Sequence, residues 1–246
     1  MSLPVHLVPD LAGVAAGDEV TVEGDEAHHA VAVRRLRVGE RVVLTDGAGT
    51  SATGEVSSTG KRVLTVTVDE IETVERPEPS FTVVQALPKG ERGELAVEVL
   101  TEIGAARIVP WAASRAVAVW KGERADRSLA KWRATAREAA KQSRRSWFPE
   151  VTPLASTAEV AEIVGAAAAA VVLHEDSQLP LGAVAIPEEG EMVVVVGPEG
   201  GVTDEELAAF ESGGASIVRL GPEVLRTSTA GVATLAALLA RTARWA

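Results

Sequence analysis

Two glycine-containing segments in the second half of the chain have the composition of ligand-binding loops. The first covers residues 197–201 (Gly-Pro-Glu-Gly-Gly) and follows the apolar run Met192–Val196. The second begins at Gly221, directly after the predicted strand Ile217–Leu220. Glycine allows the backbone to approach a ligand closely, and ligands of open α/β sheets bind outside the carboxyl ends of the strands. Either segment alone also fits a tight turn, but the two at matching positions favour one shared pocket.

Other common catalytic patterns are missing from the sequence. It contains no cysteine, which excludes disulfides, thiolate-bound metals and a thiol nucleophile. Neither a dinucleotide-binding G-x-G-x-x-G at a helix start nor a phosphate-binding G-x-x-x-x-G-K-[ST] motif occurs. The four histidines have no helical metal-binding spacing with a third ligand, so no metal site is predicted. Ser228 has no evident His–Asp set, which argues against a hydrolase triad.

Charge is distributed unevenly along the chain. The formal net charge of the whole chain is −11, yet residues 107–149 contain 11 basic and three acidic side chains, a net charge of +8. Such asymmetry is expected either for a polyanionic partner or for an acidic surface elsewhere in the same protein. The counts alone leave both interpretations open.

A long helix is predicted within this basic segment, from Arg124 to about Arg145. At 100° per residue its apolar side chains, among them Trp132 and Trp147 just beyond it, fall on one arc and its cations on the other. Ordinary solvated faces mix both signs, so a single-sign face favours contacts with nucleic-acid phosphates. The predicted RNA contacts are Lys141, Arg144 and Arg145 in this segment and, outside it, Arg34, Arg35, Lys89 and Arg115.

The elements that must position these residues fall into two regions. Up to about residue 75 the sequence predicts short strands, among them Arg41–Thr45 and Val63–Val68, and a short helix from Asp25 to about Arg35. The Pro-containing stretch Glu75–Pro79 is typical of a linker. Beyond it strands alternate with helices, which predicts an α/β domain with a parallel sheet. We therefore expect a small β-barrel at residues 1–75 and an α/β domain at residues 76–246.

Local signals mark several helices of the second region. Capping boxes at Ser156–Glu159 and Thr203–Glu206 predict two helix starts. A helix predicted over Glu91–Ile103 has apolar side chains at positions 95, 99 and 103 on one stripe, with glutamates at positions 94, 98 and 102 beside it. The last helix is predicted over Thr229–Trp245.

The sequence predicts no membrane-spanning or secretory segment. No window of 18 or more apolar residues is free of charge and glycine. The first 25 residues include Asp10, Asp18 and Glu19 and no basic region of a signal peptide. Together with the absence of cysteine, these features indicate a cytoplasmic location.

On these residues the sequence resembles the RsmE family, which belongs to the SPOUT superfamily of methyltransferases, over nearly the whole chain. The most specific shared motif is Val196–Gly201 with Glu205 and Glu206, and the second is Leu220-Gly221 with Leu225–Thr227. The other matching positions are residues 85–92 (Gln-Ala-Leu-Pro-Lys-Gly-Glu-Arg), Thr101–Gly104, Pro110, Arg115, Trp132, Ala136, Ala139, Gln142, Arg145, Pro149, and His29 with Arg35 and Gly39.

The resemblance implies an enzyme that methylates N3 of a uridine in 16S ribosomal RNA of the small subunit, in an assembled 30S particle, with S-adenosylmethionine as the methyl donor. It also implies a PUA-like N-terminal barrel, a C-terminal SPOUT α/β domain tied in a trefoil knot, and a homodimer. By position, the cofactor-binding residues would be Leu173, Gly197, Pro198, Glu199, Gly200, Leu220, Gly221, Val224 and Leu225.

Arg226 is the predicted catalytic residue. As uridine N3 loses its proton, negative charge spreads to O2 and O4, and a fixed cation near those oxygens lowers the barrier. The alternative role of Arg226 is a salt bridge to Glu199 or Glu223. The sequence has Ser228 where many family members have Glu, so a catalytic role for that position stays open. Two other functions also stay open, a SPOUT methyltransferase acting on another RNA or atom and a non-enzymatic RNA-binding protein.

Overall fold

A computed structural model describes residues 3–90 and 92–245, which form two compact units. The first unit contains the chain up to Arg76 together with Lys141–Phe148, and the second contains Pro77–Ala140 and the chain from Pro149 onwards. Glu91, the predicted first residue of a helix, lies outside the described residues. The sequence predicted a single boundary at residue 75. It did not predict that Lys141–Phe148 belongs to the first unit.

The first unit is a curled sheet of five strands. They are β1 (Val5–Leu7), β2 (Glu19–Glu23), β3 (Arg41–Thr45), β4 (Thr50–Thr59) and β5 (Val63–Thr73), in the order β1-β3-β4-β5-β2. Neighbouring strands pair antiparallel, except that β1 pairs with β3 in parallel. Leu64, Val66 and Val68 of β5 are buried while their neighbours are more exposed, so one face of the sheet forms the core. The strand-rich N-terminal region predicted from the sequence is confirmed.

One short helical stretch connects β2 to β3. It comprises α1 (Gly24–His28) and a turn of π-helix (His29–Val33), where a single helix from Asp25 to about Arg35 was predicted. Arg35 follows with φ +58°, in the left-handed region, so the helix cannot continue through it.

A buried ion pair fixes Lys141 within the first unit. The Lys141 Nζ atom lies 3.1 Å from both carboxylate oxygens of Glu26, and His6 Nδ1 lies 3.1 Å from Glu26 Oε1. Burial alone would raise the pKa of Glu26, but the hydrogen bond from His6 and the charge and hydrogen bond of Lys141 outweigh it and lower the pKa to about 2. Only 9% of Lys141 is exposed, so its predicted place on the solvated cationic face was wrong.

Trp147 packs in the same unit and lies beyond the long helix, which ends at Gln142. Its Nε1 atom donates a hydrogen bond to the carbonyl of Val74 at 2.9 Å. A Cβ atom at Gly49 would lie 2.6 Å from the indole ring, and the φ of Gly49 is +103°, so both space and backbone conformation require glycine there. These contacts hold the returning segment against the unit.

The second unit is a six-stranded parallel sheet flanked by helices. Its strands are β6 (Ser80–Ala86), β7 (Arg107–Trp111), β8 (Glu150–Val151), β9 (Ala169–Leu173), β10 (Glu191–Val196) and β11 (Ser216–Val218), in the order β11-β9-β10-β6-β7-β8. Its helices are α2 (Arg92–Ile103), α3 (Glu123–Gln142), whose last two residues belong to the first unit, α4 (Thr157–Ala166), α5 (Asp204–Ser212) and α6 (Thr227–Leu239). Every described strand pair in this sheet is parallel, and Met192–Val196 is fully buried, as expected for a strand covered on both faces. The predicted α/β fold is confirmed.

Helix ends follow the sequence signals better than helix faces do. Ser156 and Thr203 both form the predicted capping boxes. On α2, Leu95 of the apolar stripe is 44% exposed while Ile103 packs against the core, and the fully buried face consists of Gly93, Ala96, Val97, Leu100 and Thr101. Small residues permit this face to pack closely against α6, where a Cβ atom at Gly231 would lie 3.0 Å from Leu100. The last helix ends at Leu239, not at Trp245.

Candidate functional site

One cavity lies in the second unit, at the carboxyl ends of strands β9 and β10 and beside the residues that follow β11. Its volume is about 290 Å³. Leu173 is the last residue of β9 and Val196 is the last residue of β10. Both line the cavity, together with the two glycine-containing segments. Because β11, β9 and β10 are adjacent parallel strands, their carboxyl ends meet at one edge of the sheet, where open α/β sheets bind ligands.

The cavity brings together most of the residues predicted to bind a cofactor. Eight of the nine line it: Leu173, Gly197, Pro198, Glu199, Leu220, Gly221, Val224 and Leu225. Gly197 packs closely within its loop, since a Cβ atom there would lie 2.7 Å from Val202 Cγ2. The Glu199 carboxylate accepts a hydrogen bond from the backbone N–H of Lys89 at 3.2 Å, which ties this loop to the chain after β6.

Gly200 is the exception, because it faces Arg115 and does not line the cavity. A Cβ atom at Gly200 would lie 2.9 Å from both Cβ and the backbone oxygen of Arg115. The Arg115 guanidinium in turn donates a hydrogen bond of 3.4 Å to the Gly200 carbonyl. The contribution of Gly200 to the pocket is therefore to let the glycine loop lie against the 114–115 backbone.

Replacing Gly200 by alanine is expected to weaken cofactor binding about 10-fold. The added methyl group meets the Cβ atom and the backbone oxygen of Arg115, so the loop must shift, and overpacking of this kind costs about 1–3 kcal/mol, which is about 10-fold in affinity near its lower end. Titration calorimetry with S-adenosylmethionine measures the effect. Gly182→Ala is the matched control, because no atom lies within 4 Å of its added Cβ. Equal affinities of Gly200→Ala and Gly182→Ala would contradict this account of the loop.

Glu206 fixes the backbone at Ser114 and Thr203 by hydrogen bonds. Its side chain is buried and accepts hydrogen bonds from the backbone N–H groups of Ser114 at 2.8 Å and Thr203 at 3.0 Å, and from the Thr157 hydroxyl at 3.3 Å. Burial alone would raise the pKa of Glu206, but these hydrogen bonds outweigh it and lower the pKa. The sequence identified Glu206 as a helix cap and as part of a shared motif, and the structure shows that it also positions Ser114, the residue before Arg115.

Arg226 lies on the wall of the cavity and is exposed. In the part of the chain that the structure describes, no carboxylate lies within 4.0 Å of its guanidinium, so the alternative of a salt bridge to Glu199 or Glu223 is not observed. Its backbone is well fixed, because its carbonyl accepts hydrogen bonds from Thr229 and Ala230 at 2.9 Å. The backbone of Arg226 is thus fixed at the cavity wall, while its exposed guanidinium is accessible to a ligand.

Buried side chains behind Arg226 do not reach the cavity. Gln85, at the end of β6, donates a hydrogen bond of 3.2 Å to the carbonyl of Thr227, the first residue of α6. Ser228 is 3% exposed and does not line the cavity, so the structure gives no support for a catalytic role.

Several polar residues that were not among the predicted cofactor contacts also line the cavity. Arg92, His174, Glu175, Arg219 and Glu223 all line it. The sequence did show that His174 and Glu175 end a strand and that Arg92 belongs to a shared motif. Arg219 directly follows strand β11. A charged residue at the carboxyl end of a strand was the sequence signal that could have identified it.

The predicted RNA contacts divide between the two units. In the first unit Arg34, Arg35 and Arg144 are exposed, Arg145 is partly exposed, and Lys141 is the buried exception described above. In the second unit Lys89 and Arg115 are exposed beside the glycine loop.

The exposed face of α3 in the second unit is strongly cationic, as its sequence predicts. Trp132 and Ala136 of this helix are buried, which confirms the orientation of its apolar arc. The side chains exposed on the opposite side include Arg124, Arg127, Lys131, Arg133 and Arg137. Cations repeated along a helix are suited to the phosphates of a nucleic acid.

Comparison with known proteins places this fold and site in a family. A model of an RNA methyltransferase domain matches residues 75–239, and a model of an RNA methyltransferase PUA domain matches residues 22–69. The chain is 46% identical over 98% of its length to ribosomal RNA small subunit methyltransferase E of Mycobacterium bovis, of which it covers 92%. It is 30% identical over 89% of its length to the protein of the same name from Bacillus subtilis, of which it covers 88%.

A solved structure extends the similarity to the fold. The crystal structure of ribosomal RNA small subunit methyltransferase E from Neisseria gonorrhoeae, bound to S-adenosyl methionine, matches with a TM-score of 0.87 and 26% identity, covering 98% of each chain. Sequence and fold are thus those of an RNA methyltransferase. More particularly, the chain belongs to the ribosomal RNA small subunit methyltransferase E family.

A separate observation concerns the helices. None of those in the described residues combines the length and apolar character needed to cross a bilayer.

Proposed function

We propose that this protein transfers a methyl group from S-adenosylmethionine to N3 of a uridine in 16S ribosomal RNA. The observation that carries the proposal is the meeting of two glycine-containing loops around one cavity with Arg226, which has no carboxylate within 4.0 Å among residues 3–90 and 92–245. Family membership supports methyl transfer to small-subunit ribosomal RNA. The choice of N3 rests on the resemblance to the RsmE family, and Arg226 is suited to stabilise the anion that loss of the N3 proton would form.

The residues of the cavity suit the proposed cofactor. Leu173, Leu220 and Leu225 give apolar walls for an adenine ring, while Gly197 and Gly221 leave backbone groups accessible. The carboxylates of Glu175 and Glu223 can attract the positive charges of a sulfonium and an amino group. When bound, S-adenosylmethionine supplies the methyl group.

Arg226 would stabilise the charge that develops on the substrate. Uridine N3 carries a proton and becomes nucleophilic as that proton leaves, which places negative charge on O2 and O4. Because the backbone of Arg226 is already fixed at the cavity wall, only its side chain has to orient towards that charge, and a cation placed in advance is the condition for a large electrostatic effect. Because N3 is paired in a duplex, the target base must be unpaired or flipped out.

Exposed arginines in both units would hold the RNA backbone. We assign residues 1–75 as a PUA-like RNA-binding domain with Arg34 and Arg35 as phosphate contacts, and residues 76–246 as the SPOUT methyltransferase domain. Phosphate contacts fix the register of the strand and leave base selection to the site. We further propose that the enzyme is a cytoplasmic homodimer with a trefoil knot that acts on the assembled 30S particle.

Nucleoside mass spectrometry of 16S ribosomal RNA tests the proposal. A strain lacking the gene is expected to lose one 3-methyluridine, and the wild-type gene is expected to restore it. Purified enzyme should then methylate 30S particles from that strain faster than protein-free 16S RNA. Loss of a ribose 2′-O-methyl group, or of a methyl group from another RNA, would refute the N3 assignment. Absence of any change, with no binding of S-adenosylmethionine in calorimetry, would instead support a non-enzymatic RNA-binding protein.

A further inference from the structure

A second cavity lies in the same unit as the glycine loops and shares none of their lining residues. Its volume is about 380 Å³. It lies between the chain after β6, the irregular segment 118–120 and the first turns of α3. Gly90 and Gly93 line it, whereas Arg92 between them lines the cofactor cavity, so the start of α2 separates the two.

Two indole rings give this cavity a rigid aromatic wall. Trp132 is 3% exposed and packs so closely on α2 that a Cβ atom at Gly93 would lie 2.9 Å from its Nε1 atom. Trp120 packs edge-to-face on Trp132, with ring centroids 5.0 Å apart and an angle of 80° between planes. Trp120 is itself only partly buried. Its orientation is therefore set by a buried neighbour while part of its ring stays accessible.

The rim of the cavity is cationic. Arg124 is exposed and, within residues 3–90 and 92–245, has no carboxylate within 4.0 Å of its guanidinium. Lys131 forms an ion pair of 2.9 Å with Glu94 on the opposite wall. The exposed cations Arg127 and Arg133 continue along α3 away from the cavity. An accessible aromatic ring beside backbone-binding cations is the chemistry by which proteins hold single-stranded nucleic acid.

We propose that this Trp120 cavity binds one unpaired nucleotide of the substrate RNA that flanks the methylated base. The base stacks on Trp120 and its phosphate faces Arg124. A volume of about 380 Å³ lies in the lower part of the range for small-ligand sites, as suits one nucleotide. An apolar protein partner would leave Arg124 desolvated without a counter-charge, whereas a polyanion supplies one. The inference rests on the proposed function only in taking RNA as the substrate.

Binding of two synthetic oligomers tests the inference on the full-length protein. The probes are hexauridylate and an abasic ribose-phosphate hexamer of equal length. Trp120→Ala is expected to weaken hexauridylate binding about 10-fold and to leave abasic hexamer binding unchanged, because only the base contacts the indole. Trp120→Phe should retain most of the affinity, and Arg124→Ala should weaken both probes equally. Trp245→Ala is the matched control, since this exposed indole lines neither cavity.

Three results would overturn the inference. One is a wild-type protein that does not bind hexauridylate more tightly than the abasic hexamer. The second is a Trp120→Phe variant as weak as Trp120→Ala, which would indicate damaged packing against Trp132. The third is a Trp120→Ala variant that changes its oligomeric state in sedimentation, which would assign the cavity to a second copy of the chain. The proposed function is tested separately, by methyl transfer. It is wrong if the wild-type protein transfers no methyl group.

Discussion

Arg226→Ala is expected to lower kcat for RNA methylation by about 10²–10³-fold, the loss typical of removing one group that stabilises a developing anion. Affinity for S-adenosylmethionine should stay within about twofold of wild type, because glycines and apolar side chains form most of the remaining wall of the cavity. Single-turnover methylation of 30S particles measures the chemical step, and calorimetry measures the cofactor affinity.

Two further variants separate the role of Arg226 from a general effect of charge. Arg127→Ala removes an equal charge from the exposed face of α3 and should change RNA affinity and its salt dependence, with little change in kcat. Arg226→Lys keeps the charge but not the planar guanidinium and should recover part of the rate. If Arg226→Ala retains near wild-type kcat while cofactor affinity is unchanged, the assigned role is wrong.

The position of the candidate site could be predicted from the sequence because it depends on topology. Residues that directly follow parallel strands must lie at one edge of the sheet, so the loops beginning at Gly197 and Gly221 converge whenever their strands are close neighbours. Arg226 follows from the same reasoning, because it precedes the next helix. None of this required a side-chain contact to be known.

The faces of helices could be predicted only in part. A helical projection of α3 separates apolar from charged residues, which succeeds for Trp132 but fails for Lys141, because a buried carboxylate can hold a cation that the pattern places in solvent. On α2 the projection grouped large apolar side chains such as Leu95, which is exposed. The face that is buried contains small residues around Gly93, because they allow close packing.

Contacts made by irregular segments left no signal in the sequence. The return of Lys141–Phe148 to the first unit depends on the fit of Trp147 over Gly49, two residues far apart in the chain. The Trp120 cavity depends on a segment without helical or strand periodicity, so periodicity could not assign its inward side. Such contacts follow from tertiary packing, which a pattern along one chain does not encode.

Glu26→Ala is expected to lower the free energy of unfolding of the first unit by about 3 kcal/mol, the low end of the loss when one partner of a buried ion pair is removed, because the Glu26 side chain is itself 19% exposed. The variant removes the carboxylate that faces Lys141, which is 9% exposed, and that accepts the hydrogen bond of His6. Denaturant titration followed by Trp147 fluorescence measures the change, in a background where the other four tryptophans are replaced by phenylalanine.

The charge on Glu26 also predicts how that stability depends on pH. The pKa of Glu26 is lowered to about 2 in the folded protein from an ordinary value of 4.5, so its contribution is present above about pH 4.5 and is lost as the pH falls towards 2. The difference between wild type and Glu26→Gln should therefore shrink over that interval. The double variant Glu26→Leu/Lys141→Met should recover most of the stability lost by Glu26→Ala, because an apolar pair of similar volume avoids burying a charge. A double variant no more stable than Glu26→Ala would show that packing around Glu26, and not the buried charge of Lys141, determines the loss.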